Sequence, residues 1–148
     1  MKNICLKSLL AIFAFSMFLS CSKDDSISSS LTGKWYYYSY TDSDNFDDNT
    51  YEFLPGNVFS VQLKGSSWDG EIFHPIAYWN NIFIGLYTIK NGTLSLQAHT
   101  YIDGDNGKTS PSSELLTYEI RESSAMEITV YNSREKRTEV WRRIASGY

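Results

Sequence analysis

Leu31-Thr32-Gly33-Lys34-Trp35-Tyr36-Tyr37-Tyr38-Ser39-Tyr40 has the composition and alternation of a β-strand. Aromatic side chains fit a pleated, half-buried surface, and here four tyrosines and a tryptophan crowd into ten residues. Alternation puts Leu31, Gly33, Trp35 and Tyr37 on one side of a strand and Thr32, Lys34, Tyr36 and Tyr38 on the other. The stretch predicts an opening strand over Leu31–Tyr40 whose tryptophan side faces a core.

Working downstream, the same composition recurs between turn signals. Thr50–Leu54 and Val58–Lys64 are joined by Leu54-Pro55-Gly56-Asn57, where proline and then glycine fit a type II turn. Residues 65–81 read as a longer aromatic connection carrying Trp68, Phe73, Tyr78 and Trp79, with an additional strand possible around Trp68–Phe73. Ile82–Ile89 is apolar on both faces, as expected of a strand buried on two sides or facing a partner. Asn91-Gly92 suits a type I′ hairpin and leads into Thr93–Tyr101, where Leu94, Leu96 and Ala98 alternate with Ser95, Gln97 and His99. Three further faces are Leu116/Tyr118/Ile120, Met126/Ile128/Val130 and Val140/Arg142/Ile144. No window holds helical periodicity over three turns. Eight strands or nine, spaced by short turns, predict an all-β antiparallel meander that closes on itself and leaves no long edge.

Gly33-Lys34-Trp35 matches the Gly-x-Trp signature of lipocalins, up-and-down barrels of eight strands around a cavity. The wider layout resembles the lipocalin-like domains of Bacteroidetes lipoproteins. It runs Leu31-Thr32-Gly33-Lys34-Trp35, then Phe53-Leu54-Pro55-Gly56, then Gly85-Leu86-Tyr87-Thr88-Ile89 before Asn91-Gly92, and spans residues 31–144. The resemblance implies an eight-stranded lipocalin-like β-barrel over 31–148. Its Trp35 plugs the closed end, and an arginine of the last strand packs across that indole. Alternation with Val140 and Ile144 selects Arg142 over Arg143 for that task, so Gly33, Trp35 and Arg142 form the expected barrel base. The chain departs from lipocalins in lacking their Thr-Asp-Tyr motif.

Upstream, Lys2 and Lys7 precede an apolar run, Leu9–Leu19, too short for a stop-transfer helix. Phe18-Leu19-Ser20-Cys21 then resembles the lipobox of bacterial lipoproteins, with Phe18 where the family usually has leucine. That resemblance implies a signal peptide over 1–20, a lipidated Cys21 (diacylglycerol and palmitate), and attachment to the outer membrane. Ser22-Lys23-Asp24-Asp25 resembles the signal that sends Bacteroidetes lipoproteins to the cell surface; a solvated charged tether is the alternative. Residues 21–30 read as lipidated cysteine and linker.

Cleavage before Cys21 would remove two lysines and no acidic residue, leaving 11 basic against 17 acidic side chains and shifting the net charge from −4 to −6. That balance argues against a nucleic-acid partner. On the lipobox resemblance Cys5 would leave with the leader and Cys21 would be acylated, so the folded body would have no thiol for a disulfide, a metal or a nucleophile. The remaining 128 residues suit one domain held by packing.

Candidate chemistry is sparse. Asp103-Gly104-Asp105-Asn106-Gly107 with Glu114 echoes an EF-hand loop, but Gly107 stands at the fifth ligand position and Lys108 where glycine is required. His74 and His99 lie 25 positions apart, which disfavours a zinc site, and His99 reads as solvent-facing. Asp42, Asp44, Asp47 and Asp48 cluster in an expected loop over the barrel mouth, either steering cationic ligands or simply solvated. No nucleophile elbow or phosphate loop is present, so no catalytic residue, metal or cofactor is expected. Tyr37, Phe53, Tyr87, Leu96, Tyr118 and Ile128 are the expected ligand-binding lining, with Trp68, Tyr78 and Trp79 at the mouth. A small apolar or amphipathic ligand suits such a cavity. A filled barrel acting as a non-catalytic interaction subunit is the alternative, with Tyr36, Tyr38 and Tyr40 as its contact surface for a surface protein partner.

Overall fold

The computed structural model describes Ile27 and residues 30–42, 45–67 and 77–145. Nine strands follow in order: β1 (Gly33–Asp42), β2 (Asn45–Leu54), β3 (Val58–Ser67), β4 (Ala77–Lys90), β5 (Thr93–Asp103), β6 (Thr109–Pro111), β7 (Leu115–Ser123), β8 (Glu127–Asn132) and β9 (Arg137–Arg143). Each pairs antiparallel with its sequence neighbour except that β7 returns to β5, while the short β6 hangs on the far end of β5. β9 pairs with β1 through Trp35↔Arg143 and Tyr36↔Arg142. Eight strands thus close into an antiparallel barrel, the architecture the strand pattern predicts.

Local chemistry explains the corners. Asn91 and Gly92 both take positive φ, 53° and 74°, as a type I′ turn demands. Register shifts at Tyr40/Asp42, Ile84/Gly85 and Ile120/Glu122 add the local bends that help a sheet curl on itself.

Several strand boundaries differ from the sequence reading: β3 runs on to Ser67 and β4 opens at Ala77, both inside the 65–81 stretch expected as a connection. β1 opens at Gly33, because Ile27, Ser30 and Leu31 carry helical backbone. Ile27 and Leu31 are buried, so apolar side chains that read as linker and as strand cap the barrel's closed end. The acidic stretch Asp42–Asn49, expected as a loop, is largely strand: β1 pairs with β2 as far out as Asp42↔Asn45. Asp and Asn are poor strand formers, so composition hid a ladder that pairing sustains. The strand considered around Trp68–Phe73, like the leader, Cys21 and Asp44, falls outside the described residues.

The interior is layered along the barrel axis. Leu31, Trp35, Phe53, Phe59, Leu94, Leu96 and Ile128 fill the closed end. Above them Trp141 stacks on Tyr51 at 4.0 Å and meets Tyr118 edge-on at 4.9 Å. Each fully buried large side chain contributes about 1.5–3 kcal/mol by leaving water. The lower half of the barrel is therefore solid.

Candidate functional site: a polar cavity above an aromatic floor

The closed end is locked by side chains that satisfy three consecutive carbonyls of the helical turn and its exit. Trp35 Nε1 donates to Leu31 O at 2.7 Å. Arg143 NH1 donates to Thr32 O at 2.8 Å, its NH2 donates to Ser30 O, and its Nε donates to Ala125 O at 2.6 Å. Helix-end carbonyls have no partner within the turn and favour a cation. The guanidinium carbon also sits 4.3 Å from the centroid of the Trp35 ring. Gly33 takes φ +126°, and a Cβ there would lie 2.6 Å from Arg143 NH1, so the glycine of Gly-x-Trp makes room for the arginine.

The arginine of the barrel base is thus Arg143, not Arg142. Arg142 is 73 % exposed in its side chain and pairs with Glu127 at 3.4 Å. In β9 the inward face is Arg137, Glu139, Trp141 and Arg143, while Thr138 and Arg142 face water. Val140 and Ile144 suggested the opposite phase. A one-residue change of phase exchanges the faces of a strand, and a charged interior defeats a reading by hydrophobicity. Met126 likewise lies outside β8 and is exposed, whereas Ile128 and Val130 face inward as expected.

At the opposite end a cavity of about 320 Å3 opens above the Tyr51–Tyr118–Trp141 layer. Its apolar walls are Tyr51, Leu63, Trp79, Phe83, Leu116 and Tyr118. Its polar walls are Asp47, Asn49, Asn81, Glu114, Asn132, Arg134, Glu135 and Arg137. Of the six residues expected to bind ligand, only Tyr118 reaches this space. Tyr37, Phe53, Tyr87, Leu96 and Ile128 do point inward, but they are packed in the core. Alternation reports which side of a strand faces in, not how far along the axis the packing stops. The lining is correspondingly mixed, not apolar.

Two wall strands, β2 and β9, grade from polar at the mouth to apolar below. Along β2 the inward series is Asp47, Asn49, Tyr51, Phe53; along β9 it is Arg137, Glu139, Trp141. Trp79 lines the cavity near the mouth as expected, and a Cβ at Gly65 would come within 2.5 Å of its ring and of Phe46 O. Tyr78 is exposed on the outer side. Asp47 belongs to the cavity wall, whereas Asp48 sits beside the outward-facing Tyr36 and raises its pKa, second to burial.

Just beneath the cavity Glu139 is 0 % exposed. It accepts hydrogen bonds from Asn132 Nδ2 at 2.7 Å and Trp141 Nε1 at 2.9 Å, with the Tyr51 hydroxyl at 3.4 Å. Arg137 Nε approaches it at 3.4 Å, and Arg137 NH1 pairs with Asp47 at 2.7 Å. Burial works against the guanidinium's charge, but Asp47, Tyr37 and Glu139 outweigh it and the Arg137 pKa is raised. Tyr51 is pushed well above its ordinary pKa, by burial first and then by Tyr118 and Glu139; Tyr118 is raised by burial and Glu139. On the rim, Arg134 pairs with Glu114 and approaches Glu135 at 4.0 Å. No buried side-chain polar atom among the described residues lacks a partner.

Glu139, Arg137, Asn49 and Asn132 escaped the sequence reading. Their signal was present as polar residues at alternate positions in the mouth-side halves of β2 and β9 and at the end of β8. It resembled the solvent face of an ordinary strand.

The Asp103–Gly107 segment is a turn. Asp103 accepts from Asp105 N at 3.0 Å and from Asn106 Nδ2 at 2.7 Å, and Asn106 accepts from Lys108 N at 2.8 Å. Glu114 of the same window is engaged by Arg134. His99 is exposed, as alternation predicts.

A scan against protein-family models and a search of curated proteins find no match to this chain.

Proposed function

We propose that this protein is a non-catalytic, lipocalin-like binding protein, held to the bacterial outer membrane and facing the cell surface through a lipid on Cys21, that takes a small amphipathic ligand into its barrel mouth. One observation carries the reading: the barrel is solid from the Trp35 base to the Tyr51–Tyr118–Trp141 layer and hollow above it. A volume of about 320 Å3 falls at the lower end of ordinary ligand pockets. A buried ion pair is weak support for stability, since desolvation offsets its attraction. Glu139, buried beneath the floor, instead holds Arg137 in place at the cavity wall. Aromatic and polar walls together suit an occupant with both characters.

The test is native mass spectrometry of the protein taken from membranes, with displacement of a fluorescent probe and Trp79→Ala as control. A small-molecule adduct, or displacement lost in Trp79→Ala, is expected. A protein that carries no adduct and takes up no probe contradicts the reading.

The alternative, an interaction subunit, draws on a separate observation. Tyr36, Tyr38 and Tyr40 form an exposed ladder with ring centroids 6.2 and 6.3 Å apart. Clustered aromatics on an outer face often mark interfaces. Pull-down from solubilised membranes would recover a stoichiometric partner, lost on Tyr38→Ser, if this surface is used.

A further inference from the structure

The charge of the cavity wall specifies more than an amphipathic occupant. Arg137 lies between Asp47 and Glu139, and Arg134 between Glu114 and Glu135. Each guanidinium already faces two carboxylates, so each cluster carries one negative charge in excess. An anionic ligand would have to displace a carboxylate to reach either arginine. A cation can share Asp47, Glu114 or Glu135 with the arginine already there, because an ionised carboxylate accepts several hydrogen bonds and each cluster keeps a negative charge in excess. The aromatic walls agree: Trp79, Phe83, Tyr51 and Tyr118 border the same space, and the negative faces of such rings attract cations. Outside the cavity, the overall acidity of the chain raises the local concentration of cations.

We propose that the cavity binds a small organic cation, an ammonium group on a compact apolar body. The ammonium lies toward Asp47, Glu114 and Glu135, and the body lies against Trp79 and Phe83. This rests on the binding-protein reading and adds the sign of the ligand's charge. A volume of about 320 Å3 has room for a body of about one or two aromatic rings.

The experiment uses the full lipoprotein in a non-ionic detergent and three probes of similar shape: phenethylammonium, 2-phenylethanol and 3-phenylpropionate. Binding is followed by calorimetry and tryptophan fluorescence. Phenethylammonium is expected to bind at least tenfold more tightly than the alcohol, and 3-phenylpropionate not to compete. Raising the salt concentration should narrow the gap. Glu114→Gln combined with Glu135→Gln alters only the half-exposed rim; it should reduce the preference for ammonium severalfold while circular dichroism stays unchanged. Equal or tighter binding of the alcohol or the carboxylate overturns the inference and leaves the binding-protein reading standing. A preference left undiminished by the double variant overturns it as well. If none of the three binds, the cation assignment fails, and the broader reading fails with it only when the adduct and probe-displacement tests are also blank.

Discussion

Arg143 lies over the indole of Trp35, 4.3 Å from guanidinium carbon to ring centroid, while its neighbour Arg142 reaches into solvent toward Glu127. Adjacent residues of the same type therefore have unequal weight. Trp35→Ala should lower unfolding stability by about 3–5 kcal/mol, since it empties a fully buried site. Arg143→Ala should cost about 1–3 kcal/mol through lost charge-assisted hydrogen bonds, and Arg142→Ala about 0.5 kcal/mol or less. Urea unfolding of the three variants gives this order; a larger loss for Arg142→Ala would refute the assignment.

Glu139 is the acceptor on which the cavity floor depends. Glu139→Leu leaves Arg137 without its inner partner and strands the Asn132 and Trp141 donors. A loss of about 3–5 kcal/mol is expected for breaking a buried pair from one side. Glu139→Gln retains an acceptor and should recover part of it. Denaturant midpoints of the two variants measure the difference.

Tyr51 and Tyr118 give stability a defined alkaline limit. Burial is the leading cause that raises both phenols in the folded state. The unfolded chain releases these protons near the ordinary value of about 10. The folded protein then binds more protons than the unfolded one, so their contribution is complete below pH 10 and is lost as pH rises beyond it. The expected slope is about 1.4 kcal/mol per pH unit for each phenol. Urea midpoints between pH 8 and 11 should fall, and Tyr118→Phe should make the fall shallower. An unchanged slope in that variant would contradict the buried state of this hydroxyl.

Gly65→Ala probes the wall from the opposite strand. Its Cβ would meet Phe46 O and the Trp79 ring at 2.5 Å, so the ring or the strand must shift. Overpacking of this kind costs about 1–3 kcal/mol. Trp79 fluorescence should change with it, and a spectrum identical to the wild type would mean that the ring is already free to move.

Cys21→Ser tests the anchor independently of the barrel. The variant should leave the membrane fraction and keep the circular dichroism of the parent. Continued membrane attachment would contradict lipidation at this residue.

How much the sequence disclosed depended on whether hydrophobicity and geometry agreed. They agree in β5, where Leu94, Leu96 and Ala98 alternate into the core, and at Asn91-Gly92, where the turn's dihedral angles admit few other residues. They conflict in β9, whose inward face includes Arg137, Glu139 and Arg143, and in the outer half of β2, whose inward residues are Asp47 and Asn49. In those places the core is polar because several strands supply mutual partners. One strand read alone contains no trace of that cooperation. The cavity was hidden for a related reason, since it lies where these polar faces meet.

The helical residues before β1 pack at the floor of the barrel, beside the β7–β8 turn. Five residues lie between Cys21 and Ile27, a reach of roughly 20 Å when fully extended. An acylated Cys21 would hold the Trp35 end against the bilayer and turn the opening toward the aqueous side. Cargo would then enter from the surrounding fluid, and lipid drawn directly from the supporting leaflet would have no route in.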